Sequence, residues 1–271
     1  SFVVIVLFFI AGCKNNSSSN STESTEINTS GVPLINYSIV SYFPHDTTLF
    51  IEGFVYHYGK LFESAGADST TPPYTNSVIG IDDLHTGKSD RKIFLDKKIY
   101  FGEGIVFLYG KLYQLTWKNH IGFIYDAKTF RQAGTFNYPT QGWALTTDGK
   151  NIIMDDGSDT IFYLDPVKLN PVKSLIVTED GMQRDNLNEL EFIKGYIYAN
   201  IWQTNEIVKI DTGNGKVIGK LNLQSIVEEA QMKHPEPGDN VLNGIAYDSA
   251  QDKIYVTGKL WQNIYQINFR R

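Results

Sequence analysis

The chain has 271 residues, 42% of them hydrophobic and only 20% charged, which is enough to bury one substantial core. Its net charge of -6 and pI near 5.4 come without any run of Lys or Arg. They argue against a nucleic-acid partner, whose phosphates need concentrated positive charge, and suit a small or cationic one. Against 3 Met there are 16 Tyr and 16 Phe, a balance that favours strands and predicts an all-β protein.

The apolar run Phe2 to Ile10 is too short to cross about 30 Å of hydrocarbon as a helix and has the length of a signal-peptide core. It leads into Ile10-Ala11-Gly12-Cys13, which resembles a bacterial lipobox, so Cys13 is expected to carry lipid. No positively charged segment precedes the run, as expected if the sequence begins inside the signal peptide. Cys13 is the only cysteine and leaves no internal disulfide. Residues 14–34 then read as a polar tether, since Lys14 to Ser30 holds one apolar residue, Ile27. The expected organisation is a signal and anchor over 1–13, a tether over 14–34 and a folded domain over 35–271. That makes an exported lipoprotein of the cell envelope, and Lys14 after the cysteine allows sorting to an outer membrane.

From Ile51 onward the chain repeats one plan, opening at IEGFVY, GEGIVF, QGWALT, NELEFI and NGIAYD. A Gly or Asp turn follows each, then a second apolar run (GKLFES, GKLYQLTW, GKNIIMDD, GYIYANIW, DKIYVTGK). Third runs end at Asp82, Asp126, Asp165, Asp211 and, last, Asn268. Repeats of this length with three or four short strands predict a β-propeller. Fourth strands are visible in RKIFLDKK and KVIGKLNL, but the last repeat stops short of one. Tyr37 to Phe43 has the alternation to supply it, giving a five-bladed β-propeller closed by an N-terminal strand, with no edge that demands a partner; a monomer is expected, although the sequence does not derive the oligomeric state.

First-strand starts and second-strand ends then share one mouth. The starts supply Glu52, Glu103, Trp143, Asn188 and Asn243, and the ends Glu63, Trp117, Asp155, Asp156, Trp202 and Lys259, with Trp261 beside them. Aromatic walls with a few polar groups make a small-ligand pocket, and carboxylates outnumbering one lysine favour an ammonium-bearing ligand. Each residue taken alone also has a structural reading: tryptophan between blades, Glu103 in a turn, Asn188 in an Asx turn. Asp126, Asp165 and Asp211 are turn residues at the opposite end. The five histidines show no paired metal spacing, so no metal ligand is assigned and a catalytic zinc is not expected.

The segments FGEGI, KLYQLTWK, GFIYDAKTF, LNELEFI, YIYANIWQT, VLNGIAYD and VTGKLW together resemble the plant and bacterial type of glutaminyl-peptide cyclotransferase, or glutamine cyclotransferase. The likeness runs from about Tyr37 to Phe269 and includes PHDTTLFIEGF, with Glu52 where that family usually has Gln and an insertion near Ala67 to Pro73. The resemblance implies a five-bladed propeller that turns the N-terminal glutamine of peptides into pyroglutamate and releases ammonia, without catalytic metal. It implies Glu103 as acid/base, Asn188 and Lys259 as its polar partners, and Trp117, Trp143 and Trp202 as the lining, with Glu52 at the substrate. It admits a structural calcium whose ligands it does not assign. Two rivals stay open: a non-enzymatic surface propeller binding a peptide or glycan, and a metal-dependent lactonase.

Overall fold

The computed structural model describes residues 31–68, 77–233 and 240–270. The expected anchor and most of the expected tether, Cys13 included, lie outside them, as do His234 and the end of the first-blade insertion.

Five four-stranded antiparallel sheets follow one another. After β1 (Tyr37–Pro44), the first blade comprises β2 (Ile51–His57), β3 (Lys60–Ala65), β4 (Ser77–Asp83) and β5 (Lys88–Leu95). The second is β6 (Gly102–Leu108), β7 (Lys111–Thr116), β8 (Ile121–Asp126) and β9 (Gln132–Asn137). The third is β10 (Leu145–Thr147), β11 (Ile152–Met154), β12 (Thr160–Leu164) and β13 (Pro171–Ile176), trailed by a ribbon of β14 (Thr178–Glu179) and β15 (Met182–Gln183). The fourth is β16 (Leu187–Ile193), β17 (Tyr196–Ile201), β18 (Glu206–Asp211) and β19 (Val217–Asn222). Helix α1 (Gln224–Lys233) precedes the fifth, β20 (Leu242–Asp248), β21 (Lys253–Gly258) and β22 (Asn263–Phe269). β1 pairs with β22 from Tyr37↔Phe269 to Pro44↔Asn263, so the N-terminal strand closes the ring as expected. The chain is tied down slightly earlier, because Pro33 and Ile35 exchange backbone hydrogen bonds with Lys220 of β19.

Apolar residues alternate along each strand and meet those of the next blade, so a separate buried cluster fills each of the five junctions between blades. The helix, not foreseen in the sequence, adds Ile226, Val227 and Ala230 to the junction of blades four and five. Their i, i+1, i+4 spacing is that of one helical face. Asp126, Asp165 and Asp211 accept backbone N–H groups two residues on and cap the outer turns. In the first blade that role falls to Asp83, which accepts from His85 and Thr86, and not to Asp82.

First strands converge closely on the axis. A Cβ on Gly104 would lie 2.5 Å from the Ala144 Cα, and one on Gly53 would lie 2.8 Å from the Ile105 nitrogen, so glycine is required at both. The fourth blade carries Glu189 at this level. Its carboxylate accepts the N–H of Phe54 at 3.1 Å and of Ile245 at 2.7 Å, tying first strands of three blades together. Burial, reinforced by the charge of Glu191, holds the Glu189 carboxyl well above the usual range against those two donors. Replacement by Gln turns an NH2 toward one of the two N–H groups and leaves a buried donor without an acceptor. Glu189→Gln should therefore cost about 1–3 kcal/mol, read as a Tm several degrees lower in a thermal melt.

Candidate active site

A β-bulge recurs at the same point of four first strands, where pairing skips from Ile51 to Gly53, Gly102 to Ile105, Leu187 to Leu190 and Leu242 to Ile245. Bulges break the in-out alternation and re-aim a side chain. The re-aimed residues are Glu52, Glu103, Asn188 and Asn243, all buried. In three blades the residue just past the second strand lies beside them: the N–H groups of Trp117, Trp202 and Lys259 donate to the carbonyls of Phe101, Asn186 and Val241. The first blade has Gly66 there, bonded to the Phe50 carbonyl.

The expected rim is therefore assembled with two corrections. Glu63 is not at the mouth: β3 continues past it to Ala65, and Glu63 points between strands to His45 at 2.7 Å. Trp261 is core, fully buried with its ring against Gly258 and its indole N–H directed to the Asn240 carbonyl at 3.4 Å. Of the neighbouring aspartates, Asp155 is buried and Asp156 caps its own turn by accepting from Ser158.

The polar half of the mouth centres on Lys259, only 5% exposed, whose Nζ lies 2.6 Å from Glu52 Oε1 and 4.2 Å from the centroid of the Phe50 ring. Asn243 donates to Glu52 Oε2 at 3.3 Å and to the Ile51 carbonyl at 3.0 Å. Glu103 is 5% exposed. Burial first and then the charge of Glu52 push its carboxyl well above the usual range; Lys259 opposes this and Asp155 adds to it. Asp155 takes the Ala144 N–H at 3.0 Å and is itself raised by burial. Glu52 and Glu103 thus both sense the Lys259 ammonium, and Glu103 is a carboxyl that holds its proton more tightly than an exposed glutamate does.

The other half is aromatic. Trp143 meets Trp202 edge to face at 5.6 Å, and both Trp117 and Trp143 donate their indole N–H to Gln141 Oε1, at 2.7 and 3.0 Å. Phe101 continues the wall, 5.7 Å from Trp117 and 6.2 Å from Phe50. The Lys118 ammonium lies 3.5 Å from the Trp117 ring centroid, a cation–π contact. Gln141, Phe50 and Phe101 were not singled out from sequence, although each stands within two residues of one that was. Asn188, 3% exposed, holds the bulge position of the fourth blade.

Comparison with known proteins agrees with this arrangement. The family model described as glutamine cyclotransferase matches residues 7–269. A glutaminyl-peptide cyclotransferase from Arabidopsis thaliana is 36% identical over 235 residues, covering 86% of this chain and 71% of the relative. The crystal structure of Myxococcus xanthus glutaminyl cyclase superposes with a TM-score of 0.79 at 27% identity, over 88% of this chain and 98% of that one. A propeller with bulge-aimed polar residues under a tryptophan rim, matched along nearly its whole length, belongs to the glutamine cyclotransferase family.

Proposed function

We propose that this mouth cyclises the N-terminal glutamine of peptides to pyroglutamate by metal-independent acid/base catalysis at Glu103. The observation that carries the reading is a buried, proton-retaining carboxyl beside a lysine, facing an aromatic rim that suits an ammonium-bearing ligand. The α-amine of the substrate, with an ordinary pKa of about 7.7–8.0, gives its ammonium proton to solvent and attacks the side-chain carbonyl carbon as the neutral base. A new C–N bond forms, the old C–N bond breaks and ammonia leaves. Protonated Glu103 gives its proton to the departing nitrogen and takes one from the ring nitrogen, so it ends as it began. Holding one rotamer of the glutamine against Trp117, Trp143 and Trp202 supplies the orientation that ring closure needs.

Lys259 and Asn188 serve the oxygen of the tetrahedral intermediate. An ammonium has three donors, and the bond to Glu52 occupies one of them. Glu52 is then a positioning residue: it fixes Lys259 and moderates its charge, in place of the neutral amide usual in the family. The run Phe2 to Ile10 ending at Cys13 supports a location on the cell envelope through lipid at Cys13, which Cys13→Ser tests by releasing the protein into the soluble fraction.

Incubation of the full chain with Gln-Ala should release ammonia with matching loss of mass, unaffected by EDTA, while N-acetylated Gln-Ala stays intact. No turnover above the spontaneous rate would favour a binding propeller instead. Glu103→Gln should lower kcat by about 10²-fold or more with a normal melting curve, as loss of an acid/base group does. Lys259→Met strands the buried Glu52 charge and should cost about 3–5 kcal/mol; adding Glu52→Gln should restore stability and leave turnover low.

The raised carboxyl also fixes a sign. A folded-state pKa above the unfolded value of 4.5 means that the folded protein binds the proton more tightly. The stabilisation is complete below that value and is lost as pH rises through the folded pKa. Glu103→Gln should therefore lose less Tm than the parent between mildly acidic and alkaline pH, and parallel curves would contradict a raised Glu103.

A further inference from the structure

Away from the mouth, buried His45 and Glu63 meet the carboxylate of half-buried Asp82 where the ring closes. His45 follows β1 directly, Glu63 lies on β3 and Asp82 on β4, and one ligand atom from each falls within 4.8 Å of the others. The imidazole is held by both nitrogens: Nδ1 lies 2.7 Å from the Trp261 carbonyl and Nε2 lies 2.7 Å from Glu63 Oε2. A carbonyl only accepts, so Nδ1 carries the hydrogen. Without an ion, a proton on Nε2 bridges to the carboxylate at this distance, and a metal ion would take that proton's place. Glu63 is 1% exposed, yet its Oε1 meets no hydrogen-bond partner, and neither does either oxygen of Asp82.

We propose that His45, Glu63 and Asp82 bind a divalent transition-metal ion of the zinc type that staples the closing strand to the first blade. Charge is matched: two carboxylates and a neutral imidazole balance one divalent cation, which would displace the protons that neutralise the cluster without it. The second shell supports it too, since a histidine that binds metal through one nitrogen usually donates its other N–H to a carbonyl or carboxylate, as Nδ1 does to Trp261. A nitrogen donor with two carboxylates suits zinc, while calcium takes six to eight oxygens. Histidine spacing in the sequence gave no sign of this cluster, because it uses one histidine and joins residues 37 positions apart, from 45 to 82.

The proposal does not rest on the cyclase reading, as these residues touch none of the groups assigned to the reaction. The full chain, stripped with EDTA and dialysed, would be titrated with ZnCl2 by calorimetry in two buffers of different ionisation enthalpy, alongside thermal melts. Binding of one ion per chain with proton release is expected, with a Tm rise of about 5 °C or more at 100-fold excess over Kd. Glu63→Gln and Asp82→Asn should each weaken binding by about 10-fold or more, while the parent's turnover at 25 °C is the same with and without zinc. Absence of saturable binding by the parent would overturn the site, whether or not the variants fold. So would binding of equal strength in a folded Asp82→Asn or Glu63→Gln variant, which would identify an ion held elsewhere.

Discussion

The close approach of the first strands at the propeller axis governs the rest of the structure. Gly53 and Gly104 let neighbouring backbones come within a distance that any Cβ would forbid, and Glu189 bridges the strands where a side chain is tolerated. With the centre closed at that level, the bulges just before it have one direction in which to send Glu52, Glu103, Asn188 and Asn243. The site is thus a product of backbone geometry, with four blades placing different residues on a shared bulge and the second-strand ends adding Trp117, Trp202 and Lys259.

Electrostatics then divides the labour among similar groups. Glu52 is held by Lys259 and Asn243, one oxygen of Asp155 by a backbone N–H, and Glu189 by two. Glu103 stands apart, since its burial is not offset by a hydrogen bond of comparable strength and its neighbours are mainly anionic. That difference in environment, at one bulge position occupied by two glutamates, pairs one with an ammonium and raises the proton affinity of the other, as the acid/base role proposed for Glu103 requires.

Much of this was legible in the sequence. The propeller and its closure followed from repeated runs and from a last repeat that lacked a strand. Glu103 was conspicuous as a charge between two glycines inside an apolar run. The misreadings share a cause, which is that strand ends are set by pairing and not by local composition. GKLFES seems to end at Glu63, but β3 pairs on to Ala65, so Glu63 faces inward while Gly66 takes the rim position. The adjacent Asp82 and Asp83 are equivalent in composition; only the pleat decides that Asp83 caps the turn and Asp82 joins His45. Trp261 was drawn to the rim by its nearness to Lys259, whereas the tight turn after Gly258 folds its ring back into the core.

The acid role proposed for Glu103 requires that it keep its proton at neutral pH, and difference infrared spectroscopy between the parent and Glu103→Gln tests this directly. The other buried carboxyl groups cancel in the difference. A protonated carboxylic-acid C=O band present only in the parent at pH 7, and lost on raising the pH, is the predicted result. A carboxylate band in its place would show Glu103 ionised at rest and would contradict its role as the acid that protonates departing ammonia.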